Sequence, residues 1–307
     1  MESFRLPRFK RASAVAPMQL TERDRTIIRL VDGHRFLRSS HIVALVGAGS
    51  QQLLRRLQLL YHHGFLERPR AQIDYYHRGG SRQIVYGLGS KGASLLKREL
   101  GVAFRELRWG EKNRGVGRIF LEHALLVSDV MVALELGCRK VGGVRLLSES
   151  ELFRLGDARR GRPFKWKVKV DGSLKLGVIP DRVFALETED QSADRNPAFF
   201  FLEADRGTMP VVRTNLSQTS FYRKLLAYEA TWAQGIHRSQ FGFHRFRVLT
   251  VTTSPARVKS LVDACSQLKS GHGLFLFTDQ ATLQKHGDVF TLPWKTGRQG
   301  EITSLLS

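Results

Sequence analysis

Two segments constrain this chain most: Val178-Ile179-Pro180-Asp181 and Phe199-Phe200-Phe201-Leu202-Glu203-Ala204-Asp205. Each is a short apolar run of the kind that fills a buried strand, and each ends in carboxylate. An unpaired charge taken out of water is costly, so a fold that buries these ends must bring a cation to them. The cation is either a divalent metal or the side chain of an arginine or lysine. The first answer points to chemistry on a phosphate, the second to a structural ion network.

The remaining sequence favours a partner rich in phosphate. Of 307 residues, 49 are Lys or Arg and 28 are Asp or Glu, a net charge of +21. Residues 1–120 alone hold 23 of the basic residues and 9 of the acids, so +14 sits on the first two-fifths. Such a domain attracts polyanions, and phosphate neutralisation is the usual source of nonspecific nucleic-acid affinity. An anionic membrane is the competing partner, but no segment approaches the roughly 20 apolar residues needed to span a bilayer. The amino terminus lacks an apolar signal core, and Cys138 and Cys265 offer neither a disulfide framework nor a zinc-ligand spacing. The expectation is a reduced, cytoplasmic protein. The length suggests two domains at roughly 100–200 residues each, and 42% hydrophobic content is enough for cores.

Residues 1–19, basic and holding Pro7 and Pro17, read as a flexible arm. Thr21 with Asp24 three residues on forms an approximate capping box, and Ile27, Ile28, Leu30 and Val31 follow at helical spacing. A second short helix is expected over Ser39 to Val46. A third runs from Ser50 to about His63, with Leu53, Leu54, Leu57 and Leu60 as its apolar stripe. Gly64 to Arg68 and Arg82 to Leu88 then read as two strands around a polar tip, Tyr75 to Gly80, and Ser90 opens a fourth helix. Three helices and a hairpin in this order resemble a winged helix-turn-helix over residues 20–108. In that pattern the third helix enters the major groove, offering Gln51, Gln52, Arg55 and Arg56, while Arg78 and Arg82 on the wing meet backbone or minor groove. The plainer alternative is that these arginines form a solvated face, or that the module binds protein.

A connector over residues 109–117 leads to a long helix, Arg118 to Leu136. Strands are expected around Val144 to Phe153, Leu176 to Leu186 and Ala198 to Asp205, with a basic hairpin at Phe164 to Val170. A helix from about Thr214 to Gln234, a strand at Phe246 to Thr252, a helix at Pro255 to Lys269 and a strand at Leu274 to Thr278 follow. Residues 281–307 read as a tail. This order resembles an α/β restriction-endonuclease-like domain of the PD-(D/E)XK type over residues 118–280. In that pattern Asp181 and Glu203 hold Mg²⁺ or Mn²⁺ through oxygen ligands, and Asp205 assists or holds a second ion. The pattern departs from the usual one at Asp205, which stands where lysine is expected. Lys224, on the following helix, or Arg206 then supplies the cation. Glu149 and Glu151 read as surface acids, His123 as a core histidine, and Gln218 with Tyr222 as a glutamine-tyrosine pair on one helical face.

Taken together, the winged-helix pattern, Glu122-His123, Val178 to Asp181, Phe201 to Thr208 and Lys224 to Tyr228 resemble the replication-relaxation family, which is similar to MobC-type plasmid relaxases. The resemblance covers roughly residues 20–270 and is most specific over Glu203 to Thr208. It implies a DNA-binding protein of a plasmid or mobile element acting at an origin-like site. It points to Asp181, Glu203 and Asp205 as the candidate site for metal-dependent nicking of DNA, to which Lys224 is added as the candidate cation. Double-stranded DNA and other relaxosome or replication proteins are the implied partners, with homodimerisation left open. The alternative is a non-catalytic replication or transcription regulator whose nuclease-like domain is degenerate.

Overall fold

The computed structural model describes residues 7–47, 49–73, 83–101, 109–155, 164–170, 174–189 and 197–306. Arg78 and Arg82, together with the expected wing tip, lie outside them. The chain divides into two compact units, Met1–Val132 and Ala133–Ser307.

In the first unit, Thr21 and Asp24 form the expected capping box at the start of α1 (Glu22–His34), whose Ile27, Ile28 and Val31 are fully buried. After β1 (Phe36–Arg38) come α2 (Ser39–Val46) and α3 (Ser50–His62). Strands β2 (Leu66–Glu67) and β3 (Val85–Leu88) complete a three-stranded antiparallel sheet of order β1-β3-β2. A three-residue strand has too little sequence to carry a period, which is why β1 is not legible before folding. Helix α4 (Ser90–Leu100) starts beside this sheet. Its entry is tight: a Cβ on Gly89 would sit 2.3 Å from the Gly64 carbonyl, so only glycine allows that approach.

The stretch read as a connector is instead part of the unit. Helix α5 (Trp109–Arg114) is tied to β3 by Asn113 Nδ2 donating to the Leu88 carbonyl, 2.9 Å. Its Arg114 reaches Glu67, an acid with 1% exposure, and Arg11 meets the same Oε2, at 2.9 and 2.8 Å. The segment read as a flexible arm is strapped down by the same chemistry. Besides Arg11, the Ala12 amide donates to His62 Nδ1 and the Ala16 carbonyl meets His63. Helix α6 (Arg118–Val141) carries residues of both units.

The second unit is a mixed α/β structure. Its seven-stranded sheet has the order β12 (Ile302–Thr303), β11 (Trp294–Thr296), β10 (Phe275–Asp279), β9 (Phe246–Thr252), β8 (Ala198–Ala204), β7 (Arg182–Thr188), β4 (Val144–Leu147). Strands β4, β7 and β8 pair antiparallel, while β9 and β10 continue parallel to β8. The near-continuous apolar runs of β8, β9 and β10 suit strands buried on both faces. One face carries the main core, where Phe201, Val248, Phe275 and Phe277 pack with residues of α8 (Phe221–Ala233) and α10 (Pro255–Cys265). Helix α9 (Ile236–Phe241) lies between α8 and β9 in sequence.

Several expected limits shift. The strand foreseen to Phe153 stops at Leu147, and Glu149–Leu155 forms helix α7, entered through Ser148, whose hydroxyl and amide both bond Glu151. The run from Leu176 to Leu186 is broken at Pro180. Its first part, β6 (Leu174–Val178), pairs with β5 (Trp166–Val170) as a separate two-stranded ribbon, and its second part is β7. Helix α8 starts at Phe221 rather than Thr214, because the Phe221 and Tyr222 amides bond the carbonyls of Pro210 and Val211. Residues 281–307 are not a tail: after α11 (Gln280–His286), β11 (Trp294–Thr296) and β12 (Ile302–Thr303) extend the sheet, and Trp294 is fully buried. Among the described residues no helix is long and apolar enough to cross a membrane.

Candidate functional site

Antiparallel pairing of β7 with β8 brings the two acid-ended segments together. Arg182 lies opposite Leu202, the Asp181 amide donates to the Leu202 carbonyl at 3.0 Å, and the Ala204 amide donates to Asp181 Oδ2 at 2.8 Å. Asp181 therefore sits at the start of β7, beside Glu203 near the end of β8. Proline ahead of it removes an amide donor at the bend where β6 gives way to β7.

Glu203 has 1% exposure, and both its oxygens are occupied. Lys224 Nζ pairs with Oε2, and the Tyr228 hydroxyl donates to Oε1 at 2.6 Å. Lys224 and Tyr228 stand four residues apart on α8, so helical geometry aims both at the same acid. Burial pushes the Glu203 carboxyl above its ordinary value, a shift that Lys224 opposes. Burial also works against the charge on Lys224, yet the charge and hydrogen bond of Glu203, joined by the charges of Asp181 and Asp205, together outweigh it and Lys224 holds its proton more tightly than a free lysine. Burial raises the Tyr228 hydroxyl well above its ordinary range, so it remains a donor.

Asp205 lies one residue beyond β8 and faces different partners. Arg257, in the first turn of α10, grips it with Nε at 2.8 Å and Nη2 at 3.2 Å. The Thr252 hydroxyl donates to Oδ2 at 2.8 Å, and the Gly207 amide donates to Oδ1 at 3.1 Å. The acid thus ties the loop after β8 to the end of β9 and the start of α10. Thr250, opposite Glu203 on β9, is fully buried, and its hydroxyl has no hydrogen-bond partner among the described residues.

The cations demanded by the sequence are thus lysine and arginine. Asp181 and Glu203 are the two carboxylates placed to share an ion, but Glu203 is already satisfied by Lys224 and Tyr228. The Asp205 oxygens are spoken for by Arg257, Thr252 and Gly207. Among the described residues no group of three or more His, Cys, Asp or Glu side chains is arranged to hold a metal. In this arrangement the residues do not fit a resident Mg²⁺ or Mn²⁺.

Of the other residues singled out, Arg206 is half-buried on the loop after Asp205, and His123 is half-buried in α6. Glu151 pairs with Arg145, and burial raises the Glu149 carboxyl despite nearby Arg182. Gln218 and Tyr222 do not share a helical face, because Gln218 precedes α8. Gln218 accepts from Arg213, and the Tyr222 hydroxyl donates to the Gln267 carbonyl. Arg257 and Thr252 of β9 carry much of the site's order and were not singled out from the sequence. Their signal, Thr250-x-Thr252 followed by the Ser254-Pro255 helix start, becomes readable only once β9 is known to neighbour β8.

On the first unit, α3 buries Leu53, Leu57 and Leu60 and exposes Gln51, Gln52, Leu54 and Arg55. Arg56 turns the other way. Its Nε donates to Asp24 Oδ1 at 2.7 Å and its Nη2 to Oδ2, fastening α3 to the start of α1. Burial raises the fully buried Asp24 carboxyl, but hydrogen bonds from Arg56 and Thr21 more than offset this and hold it below the ordinary value.

No curated protein and no solved structure matches the chain. The family model described as replication-relaxation matches residues 28–245. That span takes in α1 from Ile28 onward, α2, α3, the small sheet, the acid pair and Lys224; the chain belongs to the replication-relaxation family, whose name suggests a role in the replication or relaxation of a plasmid or mobile element.

Proposed function

We propose that the protein binds double-stranded DNA at an origin-like site of its replicon, through a winged helix-turn-helix in the first unit. The observation that carries this reading is the exposed face of α3, where Gln51, Gln52 and Arg55 stand out from a fully buried leucine stripe. Glutamine pairs with adenine and arginine with guanine in the major groove, and exposed Leu54 suits a thymine methyl. The unit Met1–Val132 holds 23 Lys or Arg against 11 Asp or Glu, a charge fitted to phosphate. Arg56 supports this face from behind through Asp24. Duplex DNA is the first partner, beside other replication or relaxosome proteins in the cytoplasm.

The second unit is read as a restriction-endonuclease-like domain in which Asp181, Glu203, Asp205, Lys224 and Arg257 form an ion network that holds the fold. The antiparallel β4-β7-β8 strands with β9 parallel to β8 support this reading, and so does the pairing of Asp181 beside Glu203. A second reading, metal-dependent nicking, is favoured by that same adjacency of two carboxylates. It requires Lys224 to leave Glu203 and Asp181 with Glu203 to take Mg²⁺ or Mn²⁺.

Supercoiled plasmid carrying the DNA that flanks this gene separates the two. It is incubated with protein and Mg²⁺ or Mn²⁺, beside the Asp181→Asn/Glu203→Gln variant. Retarded but intact supercoils with both proteins are expected. Relaxed circles with the parent alone would make the acid pair a nicking site.

A further inference from the structure

We propose that the β5–β6 ribbon of the second unit is a separate contact surface for the phosphate backbone of duplex DNA. The inference accepts that the protein binds DNA but places this contact on residues of the second unit that belong neither to α3 nor to the acid cluster.

The ribbon has two different faces. Trp166, Val168, Val170, Leu176 and Val178 are buried, and Lys167, Lys169 and Lys175 alternate with them and are exposed. Strand alternation puts these lysines on one side. Among the described residues none of them has an ion pair or hydrogen bond through its side chain. The register sets Lys169 directly opposite Lys175. Like charges facing each other across a strand pair are destabilising, so folding alone gives no reason for this placement. A polyanion laid along the ribbon would turn that repulsion into attraction.

The geometry suits an extended phosphate chain. Successive lysines on one strand are separated by two residues, about 6.6 Å. Each strand of a DNA duplex carries a charge roughly every 3.4 Å along the axis, so every second phosphate recurs at about 6.8 Å, a similar distance. Opposite Lys167 stands Gly177, where an added Cβ would meet nothing within 4 Å. The face is open there, and a glycine inside a strand permits another backbone to come close. The ribbon is also held firmly from behind. Trp166 Nε1 donates to the Thr231 hydroxyl at 2.8 Å, and Gln234 Nε2 donates to the Lys169 carbonyl at 2.7 Å. The lysines are thus presented from an ordered platform. Phosphate contacts of this kind position a protein without reading sequence.

The test uses the full chain and the Lys167→Gln/Lys169→Gln/Lys175→Gln variant, with binding to duplex DNA measured from low to high salt. Three lost phosphate contacts would lower the slope of log K against log salt by up to about 2.7. The preference for origin DNA over unrelated duplex should be unchanged, and the variant should melt no lower than the parent. A variant that keeps the parent's slope would overturn the inference while leaving the α3 reading intact. Loss of binding to phosphatidylserine vesicles with an unchanged DNA slope would overturn it in favour of a membrane. Failure of the parent to bind any duplex would overturn both.

Discussion

Arg55 and Arg56 are adjacent on α3, and replacing each by alanine should give opposite results. Arg56→Ala removes the only guanidinium that the structure brings to fully buried Asp24 among the described residues. Breaking a buried pair by deleting one partner costs roughly 3–5 kcal/mol. Two features reduce that figure here. Asp24 keeps the Thr21 amide at 2.7 Å and the Thr21 hydroxyl at 2.9 Å, and the Arg56 side chain is 25% exposed, so water can enter behind it. A loss of about 3 kcal/mol at pH 7 follows, or about 12 °C in the melting of the first unit at roughly 4 °C per kcal/mol. The Asp24 carboxyl is depressed in the folded state, so its contribution is present above the ordinary value of 3.8 and is lost as pH falls through the folded value. The gap between parent and Arg56→Ala should therefore narrow in strong acid. Arg55→Ala, on the exposed face, should change stability by less than about 0.5 kcal/mol. It should reduce the salt dependence of DNA binding by up to about 0.9. Calorimetric melting from pH 3 to 8 beside DNA titrations reads both. Equal melting of the two variants at pH 7 would refute the division of labour.

Three further outcomes are expected. Lys224→Met leaves a carboxyl whose affinity for protons burial has raised, and such a group costs stability at neutral pH until acid protonates it. The variant should be destabilised at pH 7.5 and recover toward pH 5, which denaturant titration at the two values checks. In the parent, the Lys224 contribution is complete below 10.5 and is lost only as pH rises through its higher folded value. Gly89→Ala must push the Gly64 carbonyl away, costing on the order of 1–3 kcal/mol in thermal melting of the first unit. Burial pushes the Cys138 thiol up to about 11 and raises Cys265 further, so both should react slowly with a thiol reagent at pH 7.5 and rapidly in denaturant.

Features written locally in the chain were legible before folding. The Thr21–Asp24 cap, the Leu53, Leu57 and Leu60 stripe of α3 (Leu54, expected in it, is exposed) and the apolar runs of β8 and β9 each depend on residues a few positions apart. The reach of Lys224 toward the acids follows from α8 succeeding β8. What escaped depends on long-range pairing. Arg56 looks like a surface residue until α1 presents Asp24, 32 positions away. Arg257 reaches Asp205 across 52 positions. Strands β1, β11 and β12 are two or three residues long and exist because a neighbour supplies the hydrogen bonds. Glu149 and Glu151 alternate as strand residues would, but Ser148 caps a helix there.

The central claim, that the exposed face of α3 selects DNA, is tested most directly by competition binding. The origin-flanking duplex labelled with a fluorophore is displaced by unlabelled origin or scrambled DNA, for the parent and for Gln51→Ala/Gln52→Ala/Arg55→Ala. A parent that prefers its own DNA and a folded variant that binds both duplexes alike is the predicted result. A variant that keeps the parent's preference would contradict it.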